Sequence, residues 1–180
     1  MALRKASIYK KVKRPYTRKS RVKGKSFVKT IPPLHIVKFV MGDIGKQAKG
    51  KFSFALNLVT KEAVQLRDNS IEATRQLIKR HLELNFGADY YFAVSVYPHH
   101  VLREHKIAAV AQSDRYFSGM SHSFGKPVGI AAQVKPGTKI FRIEVSQKSA
   151  IPIVREIYHK AMPKLGCNAS VEVEELHKSA

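Results

Sequence analysis

Four histidines between residues 99 and 122, His99, His100, His105 and His122, are the side chains here best suited to hold a metal. A zinc-type site needs three or four donors converging on one point. Adjacent side chains on extended backbone point to opposite sides, so His99 and His100 cannot readily share a centre. No Cys or carboxylate cluster near them completes a ligand set. The expectation is therefore no metal and no cofactor, with the histidines serving as polar loop residues.

Two further patterns in the same stretch suggest catalysis and fail on chemistry. Gly119, Gly125, Lys126 and Pro127 resemble a phosphate-binding loop, but the glycine spacing is wrong and no Ser or Thr follows Lys126. Pro127 also has no N–H to offer a phosphate. Ser113, Asp114 and His105 are the residue types of a hydrolase triad, yet nothing resembling a nucleophile elbow surrounds the serine. Asp114 is better placed to orient Arg115, whose planar fork suits a phosphate or a guanine edge. No enzyme activity is expected.

What remains is charge. No Asp or Glu precedes Asp43, while that segment holds Arg4, Lys5, Lys10, Lys11, Lys13, Arg14, Arg18, Lys19, Arg21, Lys23, Lys25, Lys29 and Lys38. It supplies +13 of the net +20, leaving +7 for everything after it. Such a segment repels itself unless a polyanion neutralises it and releases condensed counterions. Nucleic acid is the expected partner. Tyr9, Tyr16 and Phe27 lie among these cations; they can stack on bases or tack the arm onto the body.

Bulk properties narrow the class. A chain of 180 residues with 44% hydrophobic content can bury a core beside a basic extension. Cys167 is the only cysteine, so no intramolecular disulfide and no paired-thiolate zinc site can form. A spanning helix needs roughly 20 apolar residues, and the longest uninterrupted runs, such as Ile107 to Ala111, are far shorter. The N-terminus lacks the apolar block of a secretory signal, and its arm lacks an apolar face to bury in lipid. An intracellular protein without a membrane partner is expected.

The elements that must position these residues divide at Ile31-Pro32-Pro33: residues 1–30 read as an extended basic arm and 31–180 as a folded domain. Strands are predicted at Ile36 to Met41 and Phe52 to Val59, the latter with Phe52, Phe54, Leu56 and Leu58 on one face and a half-exposed face of Ser53, Ala55 and Asn57. After a polar turn at Arg67-Asp68-Asn69, Ser70 is placed to cap a helix with Ile71, Thr74, Leu77, Ile78, Leu82 and Asn85 inward, ended by Gly87. A strand runs from Tyr91 to Tyr97. Residues 99–128 read as one long working loop. Gly129 to Val134 and Lys139 to Val145 read as a hairpin about Lys135-Pro136-Gly137-Thr138. A second helix follows Ser149, with Ile153, Val154, Ile157, Tyr158, Ala161 and Met162 inward, then a closing strand through Val171 and Val173. Mixed strands, two main helices and no repeated βαβ unit predict a single α+β domain.

Tyr97-Pro98-His99-His100-Val101-Leu102-Arg103-Glu104, Ser113-Asp114-Arg115, Gly119-Met120 and Phe124-Gly125-Lys126-Pro127-Val128-Gly129 carry a resemblance. Together with Pro15-Tyr16 and Lys19-Ser20-Arg21 in the arm, they make the chain similar to the archaeal and eukaryotic L ten-e proteins of the large ribosomal subunit, counterparts of bacterial L sixteen. The resemblance covers nearly the whole chain. It implies an α/β-hammerhead type of fold bound to large-subunit ribosomal RNA, in the cytoplasm. It also implies a loop pointing toward the peptidyl-transferase centre and the tRNA corridor.

On that reading Arg4, Lys5, Lys10, Lys11, Lys13, Arg14, Arg18, Lys19, Arg21, Lys23 and Lys25 meet ribosomal RNA. His99, His100, Arg103, Lys106, Arg115 and Lys126 belong to the loop near tRNA. The implied partners are ribosomal RNA, neighbouring ribosomal proteins and tRNA, and not a second copy of the chain. Two departures from the family pattern stand out: Gln133 where a basic residue is expected, and Gln112-Ser113-Asp114-Arg115, which is more polar than Gly-Ala-Asp-Arg. Rival readings are an RNA-modifying enzyme, which would need a cofactor pocket or an acid/base pair, and a chromatin-type DNA binder, which leaves the loop without a task.

Overall fold

Two antiparallel sheets share the chain unequally in the computed structural model, which describes residues 6–11, 30–104 and 126–176. The elements run α1 (Ala6–Lys10), β1 (Val40–Gly42), α2 (Ile44–Ala48), β2 (Phe54–Thr60), β3 (Val64–Arg67), α3 (Asp68–Phe86), β4 (Tyr91–Val94), β5 (His100–Glu104), β6 (Lys126–Val134), β7 (Lys139–Val145), α4 (Ala150–Leu165) and β8 (Ala169–Glu175). The larger sheet has the order β1-β4-β7-β2-β8 and the smaller β3-β6-β5. The α+β class predicted from the strand and helix pattern is the class observed.

The core lies between the large sheet and the helix pair α3 and α4. Leu56, Leu58, Phe92, Phe141 and Ile143 of the sheet meet Ile71, Ile78 and Leu82 of α3 and Val154, Ile157, Tyr158 and Ala161 of α4. These helix residues recur at three- and four-residue spacing, which gathers them on one stripe. Tyr158 is wholly buried, and its hydroxyl donates to Leu56 O at 3.0 Å. Two residues expected inward face outward: Asn85 and Ile153 are exposed, each lying at the edge of its helix's apolar stripe.

The hairpin expectation is corrected. The turn at Lys135–Thr138 forms, with Gly137 at φ 82 and Thr138 N donating to Lys135 O at 3.1 Å. Its two strands, however, belong to different sheets: β6 pairs with β3 and β5, β7 with β2 and β4. The chain crosses between sheets there, and again between β2 and β3. Thr60 pins both crossings, its Oγ1 donating to Lys135 O at 2.7 Å and its N to Thr138 O at 3.0 Å.

Other boundaries also move. Strand pairing begins at Val40, not Ile36, and β4 ends at Val94, because β1 and β4 pair only over Val40–Gly42 and β4 pairs β7 only as far as Val94. The Gly/Lys region between β1 and β2 contains the short helix α2, whose first turn is capped by Asp43 accepting from Lys46 N at 2.8 Å. Arg67 ends a strand rather than opening a turn, and α3 starts at Asp68. Ser70 does not cap it: its hydroxyl donates back to Arg67 O at 2.9 Å. Ser149 does stand at the N-cap of α4, without a side-chain capping bond.

Ala55 and Asn57 are fully buried, against the expected half-exposed face. Both neighbours of β2 supply long side chains in register there, Glu144 and Glu174 beside Ala55, Arg142 and Glu172 beside Asn57. Arg142 Nε binds Glu144 at 2.6 Å and Lys139 binds Glu174 at 2.6 Å, a charged layer over the small residues.

Candidate nucleic-acid interface

The small sheet carries both ends of the segment read as a working loop. Its β5 and β6 pair from His100↔Ala131 through Leu102↔Gly129 to Glu104↔Lys126. The loop expectation of 99–128 is therefore too long: its first and last residues form an antiparallel stem, leaving residues 105–125 between the strand ends. Val101 and Ile130 bury each other against Leu34, which is why residues too few to show a helical period still make structure. The ladder shifts register between Leu102 and Arg103, opposite Pro127. Proline has no N–H to give to a ladder, and an irregularity beside it is the usual accommodation.

The two adjacent histidines separate as extended backbone requires. His100 is 8% exposed, and burial first, then the charges near His99 and Arg103, hold its imidazole below the usual value. That makes it a neutral member of the stem. His99 is exposed, its Nδ1 3.2 Å from Tyr97 O and its backbone N–H bonded to Ala131 O at 3.0 Å. Among the described residues no three His, Cys, Asp or Glu side chains could converge on a metal; His105 and His122 lie outside them. Arg103 is partly buried and Lys126 exposed at the stem's outer end, while Lys106 and Arg115 lie outside the described residues.

The arm joins the body at this same sheet. Of its expected RNA-binding cations, Lys10 and Lys11 are described, and Arg4, Lys5, Lys13, Arg14, Arg18, Lys19, Arg21, Lys23 and Lys25 are not. Residues 6–10 are helical, not extended. The Lys10 ammonium lies 3.0 Å from Glu62. Glu62 is held below the usual carboxylate range first by the N–H of Asn168, at 2.8 Å, and then by Lys10. Tyr9 faces the body: the Arg67 guanidinium lies 5.9 Å from its ring centroid, and its hydroxyl reaches Glu104 at 3.5 Å. Of the two roles open to the arm's rings, Tyr9 takes the tacking one; Tyr16 and Phe27 lie outside the described residues.

Gln65, Arg67 and Glu104, which hold the arm, are residues that sequence reasoning missed. Gln65 sits in a short run between a strand and a helix and carries no charge or motif to mark it. Among the described residues the arrangement offers cations and hydrogen-bond donors at the arm root and at the outer end of a largely buried stem.

A family model described as ribosomal protein L16p/L10e matches residues 11–171. The chain belongs to that family. Proteins of the L16p/L10e family are structural constituents of the ribosome and not enzymes, and membership places the chain in the cytoplasmic ribosome. Among its relatives are three archaeal proteins named large ribosomal subunit protein uL16. That of Archaeoglobus fulgidus is 37% identical over 179 residues, covering 99% of this chain and 97% of the relative. That of Hyperthermus butylicus is 37% identical over 167 residues, covering 92% and 87%. That of Sulfolobus acidocaldarius is 36% identical over 184 residues, covering 100% and 98%.

Proposed function

We propose that the chain binds ribosomal RNA of the large subunit, anchored by its acid-free arm, and projects residues 105–125 toward the peptidyl-transferase centre and the tRNA corridor. The observation that carries this reading is the shared origin of arm and loop. Residues 9–11 dock on the small sheet, and strands β5 and β6 of that sheet bound residues 105–125, so the described arm root and the loop root share one sheet. Arm cations, among them Arg4, Lys5, Lys13, Arg14, Arg18, Lys19, Arg21, Lys23 and Lys25, neutralise phosphates and fix orientation. Arg103, Lys106, Arg115 and Lys126 supply the charge around the loop, with His99 on the exposed side of its root. His100 supports the stem from inside. Neighbouring ribosomal proteins cover part of the body, and the chain enters the particle as a single copy. Peptide-bond chemistry belongs to the RNA.

Three measurements test it. If roughly six phosphates are contacted, affinity for large-subunit RNA falls with salt at a log–log slope of about −4 to −5. In gradient-fractionated cell extract the chain travels with large ribosomal particles; recovery away from them sinks the proposal. Removing residues 105–120 leaves the stem pairs and the Val101–Ile130 contact in place, so the variant folds and docks on RNA, while subunits built with it translate poorly.

A further inference from the structure

We infer that Gln65 and Gln133 form a two-amide relay that latches the root of the basic arm onto the sheet bearing the loop. Gln65 is 7% exposed. Its Nε2 donates to two backbone carbonyls of the arm, Lys11 O at 2.8 Å and Tyr9 O at 3.1 Å. Carbonyl oxygens only accept, so the amino group of Gln65 must face the arm and its own oxygen must face away. That oxygen accepts from Gln133 Nε2 at 3.1 Å. The chemistry is directional: Gln133 on β6 sets the orientation of Gln65 on β3, and Gln65 holds the arm. The two residues are cross-strand partners in the small sheet.

Three further contacts close around the same point. Lys10 pairs with Glu62 on the β2–β3 connection, Arg67 covers the Tyr9 ring, and the Tyr9 hydroxyl reaches Glu104. Glu104 is the last residue of β5 before the loop, opposite Lys126. Arm root, relay and loop root therefore form one assembly across all three strands. The latch orders residues 9–11 before any RNA arrives, so less conformational freedom is lost on binding. This consequence for RNA rests on the ribosomal reading above; the latch itself is a property of the free protein.

Isosteric variants test it. Gln65→Glu keeps the shape and sets an acceptor oxygen against two carbonyls. Gln133→Glu removes the donor that orients Gln65. In the full-length free protein, tryptic cleavage after Lys11, followed by mass spectrometry, reports the population of the released arm when opening is fast. It is expected to rise at least about tenfold in Gln65→Glu, which loses two hydrogen bonds to the arm, and several-fold in Gln133→Glu, which loses the one bond that orients Gln65. Thermal melting and cleavage sites within the body are expected to stay close to wild type. Unchanged cleavage after Lys11 in both variants overturns the latch. The neutral variant Gln65→Met, titrated with large-subunit RNA, is expected to bind several-fold more weakly with an unchanged salt slope, because no phosphate contact is lost. Equal affinity overturns preordering. Failure of the wild-type protein to bind that RNA at all overturns the ribosomal reading and leaves the cleavage result standing.

Discussion

Glu72 and Arg75 close a two-point ion pair along one turn of α3, with Nε to Oε2 at 2.7 Å and Nη2 to Oε1 at 2.6 Å. They are only 8% and 6% exposed. Gln76 adds a donor to Oε1 at 2.9 Å, so the carboxylate is well satisfied. Removing one member leaves the other charge buried alone. Glu72→Ala is therefore expected to destabilise the fold by about 3–5 kcal/mol near neutral pH, read by urea denaturation. A loss under about 1 kcal/mol would mean that water reaches the guanidinium.

The same pair predicts an acid limb. Arg75 first, helped by Gln76, holds the Glu72 carboxyl below its ordinary value of 4.5 despite burial. The folded-state pKa is thus the lower one, and the unfolded chain takes up the proton more readily. Stabilisation is complete above about 4.5 and drains as pH falls through the folded value. Glu72→Gln is expected to lack this part of the acid slope in denaturation curves taken from pH 6 downward.

His100 acts in the next window up. Burial lowers its pKa from 6.5, so the unfolded state again binds the proton more readily. Its contribution is fully present above about 6.5 and is lost as pH falls through the depressed folded value. His100→Gln is expected to flatten the stability profile below about pH 6.5, and a profile as steep as wild type would place His100 in water.

What could be read ahead of the structure followed from periodicity. The inward residues of α3 and α4, the turn at Gly137 and the strand through Val171 and Val173 each show a local repeat or a turn residue. The pairing of strands does not. Nothing within Lys135-Pro136-Gly137-Thr138 distinguishes a turn joining two paired strands from one joining two sheets; that depends on Thr60, far away in sequence. The stem His100–Glu104 with Lys126–Val134 is hidden for a related reason, since the contact of Val101 with Ile130 and Leu34 joins segments far apart in sequence. At the site, charge made the arm legible, whereas Gln65 is neutral and matters only through what it faces.

Gly42 is a position where a side chain cannot be added. Its φ is 88, and a Cβ there would lie 2.0 Å from the carbonyl oxygen of Tyr90. Asp43 N bonds that same oxygen at 2.8 Å, so the backbone cannot draw back without losing the bond. Gly42→Ala combines left-handed strain with overlap and is expected to cost more than about 2 kcal/mol. Gly137→Ala is the comparison: it has a similar φ of 82 but nothing within 4 Å, so only the strain applies. Equal losses in the two variants would show that overlap with Tyr90 contributes nothing.

Cys167 tests the packing beside the arm root. Burial first, and then the negative charge of Glu62, raises its thiol from 9.0 to about 11, with Lys10 acting in the opposite direction. Thiolate is the reactive form, so alkylation by iodoacetamide near pH 8 is expected to run about a hundredfold slower than for an unperturbed thiol. Glu62→Gln removes the nearby carboxylate and lowers the pKa somewhat, yet also frees Lys10 from its only carboxylate partner among the described residues. Loss of the carboxylate favours thiolate and release of the arm root uncovers the sulfur, so the variant is expected to react faster than wild type. Faster alkylation together with faster tryptic cleavage after Lys11 would show that the ion pair shields the thiol by holding the arm. Faster alkylation with unchanged cleavage would assign the effect to charge alone.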